Sequence, residues 1–181
     1  MGYTTVGYGV DIDRLAAVKG SRDQRLLAEM EGLVAEEERR AAEWPSSANC
    51  PLSLRGALER ILEDRVEEVP DGDHQYVYAM QLLCQHLGKL LDGQGHIKFL
   101  DDLGWDIAMD DFRTPLGLPQ PHALPDARYL TAEEVKSEYE RFRDVDPEDE
   151  EHPYLAELRE EYVWWLKQCA DQGVGLITFS Y

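Results

Sequence analysis

"GVGLITFSY", residues 173–181, decides how the rest of the chain is to be read. Ile177, Phe179 and Tyr181 alternate with Leu176, Thr178 and Ser180, the period of two that sends successive side chains to opposite faces of a strand. With no polar tail after it, this strand is expected to lie inside the core. The only other convincing strand is "YTTVGYGV", residues 3–10, where Val6, Tyr8 and Val10 share one side. A lone strand leaves its backbone donors and acceptors unpaired, so each of the two is the natural partner of the other. Two strands alone are marginal. The expectation is therefore a small antiparallel or mixed sheet that contains the N- and C-terminal strands, is covered by helices on one face, and is completed by a further short strand from the middle of the chain.

The intervening residues read as helices and loops. Asp11 can cap a short helix over 12–19 that Gly20 ends, and Ser21 with Gln24 has the spacing of a capping box for a longer helix carrying Leu26, Leu27, Met30, Leu33 and Val34. Ser53 can cap a helix whose Leu54, Leu58, Ile61 and Leu62 share a face. "PDGD", 70–73, is turn chemistry. "HQYVYAMQLLCQHLGKLL", 74–91, has the broadest apolar stripe and is read as the central core helix. The segment 96–112 is ambiguous, because Gly104 costs about 1 kcal/mol relative to Ala in a helix interior. Prolines 115, 119, 121 and 125 argue against regular structure over 113–128, so this loop is either functional or wrapped over the core. Thr131 with Glu134 repeats the capping box and opens a helix to about 143. Leu155, Leu158, Tyr162, Trp165, Leu166 and Cys169 then mark a long amphipathic helix that Gly173 can terminate. The whole, residues 1–181, reads as one helix-rich α+β domain.

Composition narrows the function classes. With 18 basic and 37 acidic side chains the net charge is -19, which repels phosphate backbones and anionic lipid, so neither nucleic acid nor a membrane surface is an expected partner. No apolar run reaches the length of a membrane span, and the opening residues do not read as a secretion signal. The expected location is the cytoplasm. There Cys50, Cys84 and Cys169, which form no CxxC pair, are read as free thiols of the buried, small-hydrophobe kind.

The order of "YGVDIDRL", "YVYAMQLLCQHLG", "YLTAEEV" after a proline-rich loop, and a last helix followed by "GLITFSY" resembles the YfbM-like bacterial family and a related actinobacterial family, both of uncharacterised function. The resemblance spans nearly the whole chain, rests on core and capping residues, and implies a single α+β domain. It implies no catalytic residue.

Candidate chemistry is sparse. Asp102, Asp106 and Asp110 would stack on one face of a continuous helix and suit a hard cation, but the spacing is not that of an EF-hand and Gly104 weakens the helix. The five histidines form no zinc pattern, and Cys84 and His86 point to different faces of one helix, so they cannot pair there. No metal and no cofactor is expected. The glycines of "GYGVD" and "GVGL" lack the context of a nucleotide fingerprint and are read as places of close backbone approach. Trp165 falls on the core stripe and Trp164 beside it.

The charge distribution is more pointed. Residues 138–151 hold eight acids, Glu138, Glu140, Asp144, Asp146, Glu148, Asp149, Glu150 and Glu151, against Arg141 and Arg143. Such a block is either a solvated linker or a docking surface for a basic protein. The leading expectation is a non-enzymatic binding or regulatory protein, of the inhibitor or immunity type, that engages a basic partner through Glu148, Asp149, Glu150 and Glu151. The alternative is a small-molecule enzyme or ligand-binding module with a pocket under the loop 113–128, lined by Trp105, His122 and Tyr129.

Overall fold

The structure is a computed structural model that describes residues 4–41, 50–91, 109, 113–122, 125–145 and 153–181. Four strands, β1 (Thr5–Val10), β2 (Lys89–Leu91), β3 (Asp126–Leu130) and β4 (Gly175–Ser180), form one antiparallel sheet in the order β2-β1-β4-β3. Among the described residues the helices are α1 (Ile12–Ala16), α2 (Gln24–Ala41), α3 (Leu54–Leu62), α4 (His74–Leu87), α5 (Ala132–Phe142) and α6 (Pro153–Gln172). The fold is α+β, and the first and last strands pair as their alternation requires, in register from Thr5 opposite Ser180 to Val10 opposite Gly175.

Helices cover both faces of the sheet, where the sequence pointed to one. On one face Tyr8, Val10, Ala127, Ile177 and Phe179 join the apolar sides of α1 to α4. On the other, Leu91, Leu130 and Leu176 pack with Val135 and Phe142 of α5 and Leu158, Trp165 and Cys169 of α6. The second face escaped notice because β1 presents glycines there. A Cβ at Gly7 would stand 3.0 Å from the Trp165 ring, and one at Gly9 3.3 Å from the Cys169 sulfur, so the missing side chains admit α6. All six residues of β4 are buried.

Several boundaries differ from those expected. Residues 89–91 are strand, not helix: Gly88 ends α4 in an extended conformation and packs so tightly that a Cβ there would lie 2.6 Å from the Gly9 carbonyl oxygen. β3 begins directly after Pro125, within the stretch expected to be irregular. α1 stops at Ala16, and the chain turns through Gly20 at φ 75°. α2 is capped by Asp23, whose Oδ1 accepts the Arg25 and Leu26 N–H groups at 2.9 and 3.0 Å; Ser21 accepts only the Asp23 N–H, so the Ser21–Gln24 box does not form. The proline-rich loop is wrapped over the core by buried Leu116 and Leu118, and its Leu116 carbonyl accepts Lys19 Nζ at 3.0 Å.

Other expectations hold. Asp11 caps α1, Ser53 caps α3, and Gly173 takes φ 66° after α6. The Thr131–Glu134 box is complete: the Thr131 hydroxyl accepts the Glu134 N–H and the Glu134 carboxylate accepts the Thr131 N–H at 2.7 Å. Burial alone would raise the Glu134 carboxyl, but the Thr131 donors and Arg113 at 3.0 Å hold it below its usual range. A carboxylate lowered by folding stabilises the native state above its unfolded pKa and loses that contribution as pH falls. Thr131→Ala is expected to cost about 1 kcal/mol at neutral pH, measured by urea denaturation; an unchanged midpoint would show that the box contributes nothing.

Candidate functional site

Two clefts and one pair of reactive side chains stand out among the described residues. The larger cleft, about 420 Å³, lies between α1, α2 and the end of α4. Leu26 and Leu87 supply apolar lining, and Arg14, Glu29 and His86 supply charge. His86 Nε2 is 3.4 Å from Glu29, whose other oxygen accepts Arg25 Nε at 2.8 Å, so the carboxylate is shared between two cationic partners when His86 is protonated.

The second cleft, about 300 Å³, runs between α5 and α6. Phe142 and Val163 line it, with Val145 and Trp164 exposed, while Arg143 and Lys167 contribute charge. Lys167 is held by Asp171 at 2.6 Å and Arg143 by Asp144 at 3.4 Å. The adjacent tryptophans divide as the helical stripe predicts: Trp165 is 1% exposed and Trp164 39%.

The pair is Cys50 and His74. Their separation of 24 residues is closed by the packing of residues 50–52 against the turn 69–73, where the space above Gly72 is filled by Val69, Leu52 and Pro51. The Cys50 sulfur sits 3.7 Å from His74 Nε2 and 3.0 Å from the Leu52 carbonyl oxygen. His74 opens α4, half-buried, with its ring edge-on to Tyr78 at 6.0 Å. Burial lowers the imidazole's proton affinity, against the pull of Asp73 and Asp71. Cys84 and Cys169 are buried thiols with raised pKa values, that of Cys169 pushed up to about 12 by desolvation. All three cysteines are free, but Cys50 is half-exposed where a buried position was expected. No motif in the sequence announces the pair; the "PDGD" turn is the one local signal that bears on it.

The residues singled out from the sequence are dispersed. Tyr129 lies on β3, half-buried beneath the Arg113 guanidinium, which is 4.3 Å from its ring centre. His122 is exposed. Neither lines either cleft, and Trp105 lies outside the described residues. So do Glu148, Asp149, Glu150 and Glu151, and the aspartates at 102, 106 and 110. Of the remaining acids in the block, Glu140 and Asp144 are exposed, whereas Glu138 belongs to the interior at 3% exposure and is paired with Arg141 at 3.2 Å. Among the described residues no group of three or more His, Cys, Asp or Glu is placed to hold a metal ion, and no helix is long and apolar enough to cross a membrane.

Comparison with known proteins adds one finding. A family model described as Domain of unknown function (DUF7691) matches residues 1–181. No curated protein and no solved structure matches the chain.

Proposed function

We propose that this chain, which belongs to the DUF7691 family, is a non-enzymatic binding or regulatory protein of the bacterial cytoplasm that engages a basic protein through its acidic surface. The observation that carries the reading is charge: a net -19 over 181 residues, with eight acids against two arginines in residues 138–151. Charge of one sign on that scale steers an oppositely charged partner and raises its association rate, as inhibitory and immunity-type proteins require. The exposed Val145 and Trp164 supply apolar area at the cleft between α5 and α6, and aromatic anchors of this kind concentrate binding energy. The order of core and capping motifs supports kinship with the YfbM-like family.

Replacing Glu148, Asp149, Glu150 and Glu151 by Gln and Ser tests the reading. The melting temperature is expected to stay within a few degrees, because exposed charges contribute roughly 0–1 kcal/mol each. Partners captured from native lysate are then purified and their association timed at low and high ionic strength. The substituted protein should associate more slowly at low salt, with the difference closing as salt screens the wild-type attraction. Identical rates under both conditions would remove the acidic run from the binding surface.

A second reading, a ligand-binding module, is favoured by the cleft of about 420 Å³ between α1, α2 and α4. Binding there would be insensitive to the four substitutions, which lie outside the lining of this cleft.

A further inference from the structure

We propose that Cys50 and His74 form a thiol–imidazole pair that exchanges with small disulfides, making Cys50 a site of reversible mixed-disulfide formation. Nucleophilic thiols need a base within reach and a path to solvent, since the thiolate is the reactive species and an unassisted thiol holds only a few per cent of it at pH 7. Cys50 has both, being half-exposed with His74 Nε2 at 3.7 Å. Cys84 and Cys169 are fully buried and have no path to solvent.

His74 Nε2 faces both the Cys50 thiol at 3.7 Å and the Gln75 side-chain amide at 3.1 Å. In the tautomer that carries its proton on Nδ1, Nε2 is an acceptor, and it takes the thiol proton when the Gln75 amide turns away from it. The groups facing the ring are the Cys50 thiol from the loop, Asp71 and Asp73 from the turn, and Tyr78 one turn along α4. Asp73 is already engaged, its Oδ1 accepting the Val69 N–H at 2.7 Å. This surplus of acid favours a neutral or cationic disulfide over an anionic one.

The exchange balances without any further reagent. His74 Nε2 takes the Cys50 proton while the sulfur attacks one sulfur of the small disulfide. The disulfide's own S–S bond breaks as the new Cys50 S–S bond forms, and the departing thiolate leaves with the proton from His74. Cys50 is oxidised, and half of the disulfide is reduced to thiol. A small thiol reverses the step.

The test uses the full chain and cystamine, a cationic disulfide, with the adduct located by peptide mass mapping and its rate followed from mildly acid to alkaline pH. Cys50 should take the adduct ahead of Cys84 and Cys169, and the wild-type rate should persist below the pH at which a simple thiol ceases to react. His74→Gln should slow the reaction at neutral pH by about a hundredfold or more, the low end for a proton-transfer partner. The gap should close at alkaline pH, where the thiol ionises without help. A wild-type profile of an ordinary isolated thiol would overturn the proposal without reference to any variant. Equal rates for wild type and His74→Gln at every pH, or equal labelling of the buried cysteines in the folded protein, would also overturn it.

Discussion

A chain lacking residues 174–181 is expected to lose cooperative thermal unfolding altogether. β4 lies between β1 and β3, so its removal leaves both of those strands without their shared partner. Leu176, Ile177 and Phe179 are fully buried, and burying each such side chain contributes roughly 1.5–3 kcal/mol. Together they are comparable with the entire stability of a domain, about 5–15 kcal/mol. Circular dichroism of the truncated protein against temperature is the measurement. A sigmoidal melt within a few degrees of the full chain would mean that β4 is not the centre of the sheet.

Trp165→Ala is expected to have the largest effect of any single substitution outside β4. The indole is fully buried against the glycine face of β1, and large-to-small changes of this kind cost about 3–5 kcal/mol. For a chain of this size that corresponds to a fall in Tm of about 10 °C. Gly7→Val should also destabilise, by about 1–3 kcal/mol, because the added atoms meet the same ring. In the Trp165→Ala background, however, Gly7→Val should cost far less, since the valine enters the space the indole has vacated. Four melting curves form the double-mutant cycle, and strictly additive losses would disprove the direct contact.

The elements legible in the sequence were those whose signal is local. Alternation in residues 5–10 and 175–180, the Thr131–Glu134 spacing, and the stripe from Leu158 to Cys169 each report a structure that its own neighbours enforce. β2 was hidden because Leu87, Leu90 and Leu91 continue a helical spacing, and only the close approach of Gly88 to Gly9 forces the chain out of the helix. β3 was hidden by the prolines ahead of it, whose restriction ends with Pro125 itself. Ser21 had the right spacing for a cap, but Asp23, one residue before the helix, holds the N–H groups. The Cys50–His74 pair had no local signal beyond the "PDGD" turn. It exists because a loop and a turn pack together, which no pattern within either segment encodes.

The pairing of β1 with β4 also bears on how the protein emerges from a ribosome. At roughly 5–20 residues per second, β1 is synthesised on the order of ten seconds or more before its central partner exists. During that interval its only sheet neighbour can be the three-residue β2, and the edge destined for β4 is open to other chains. Closing the sheet then joins segments nearly the full chain apart, a topology that folds slowly. Nascent chains stalled before residue 174 are thus expected to be the form that chaperones hold and proteases remove.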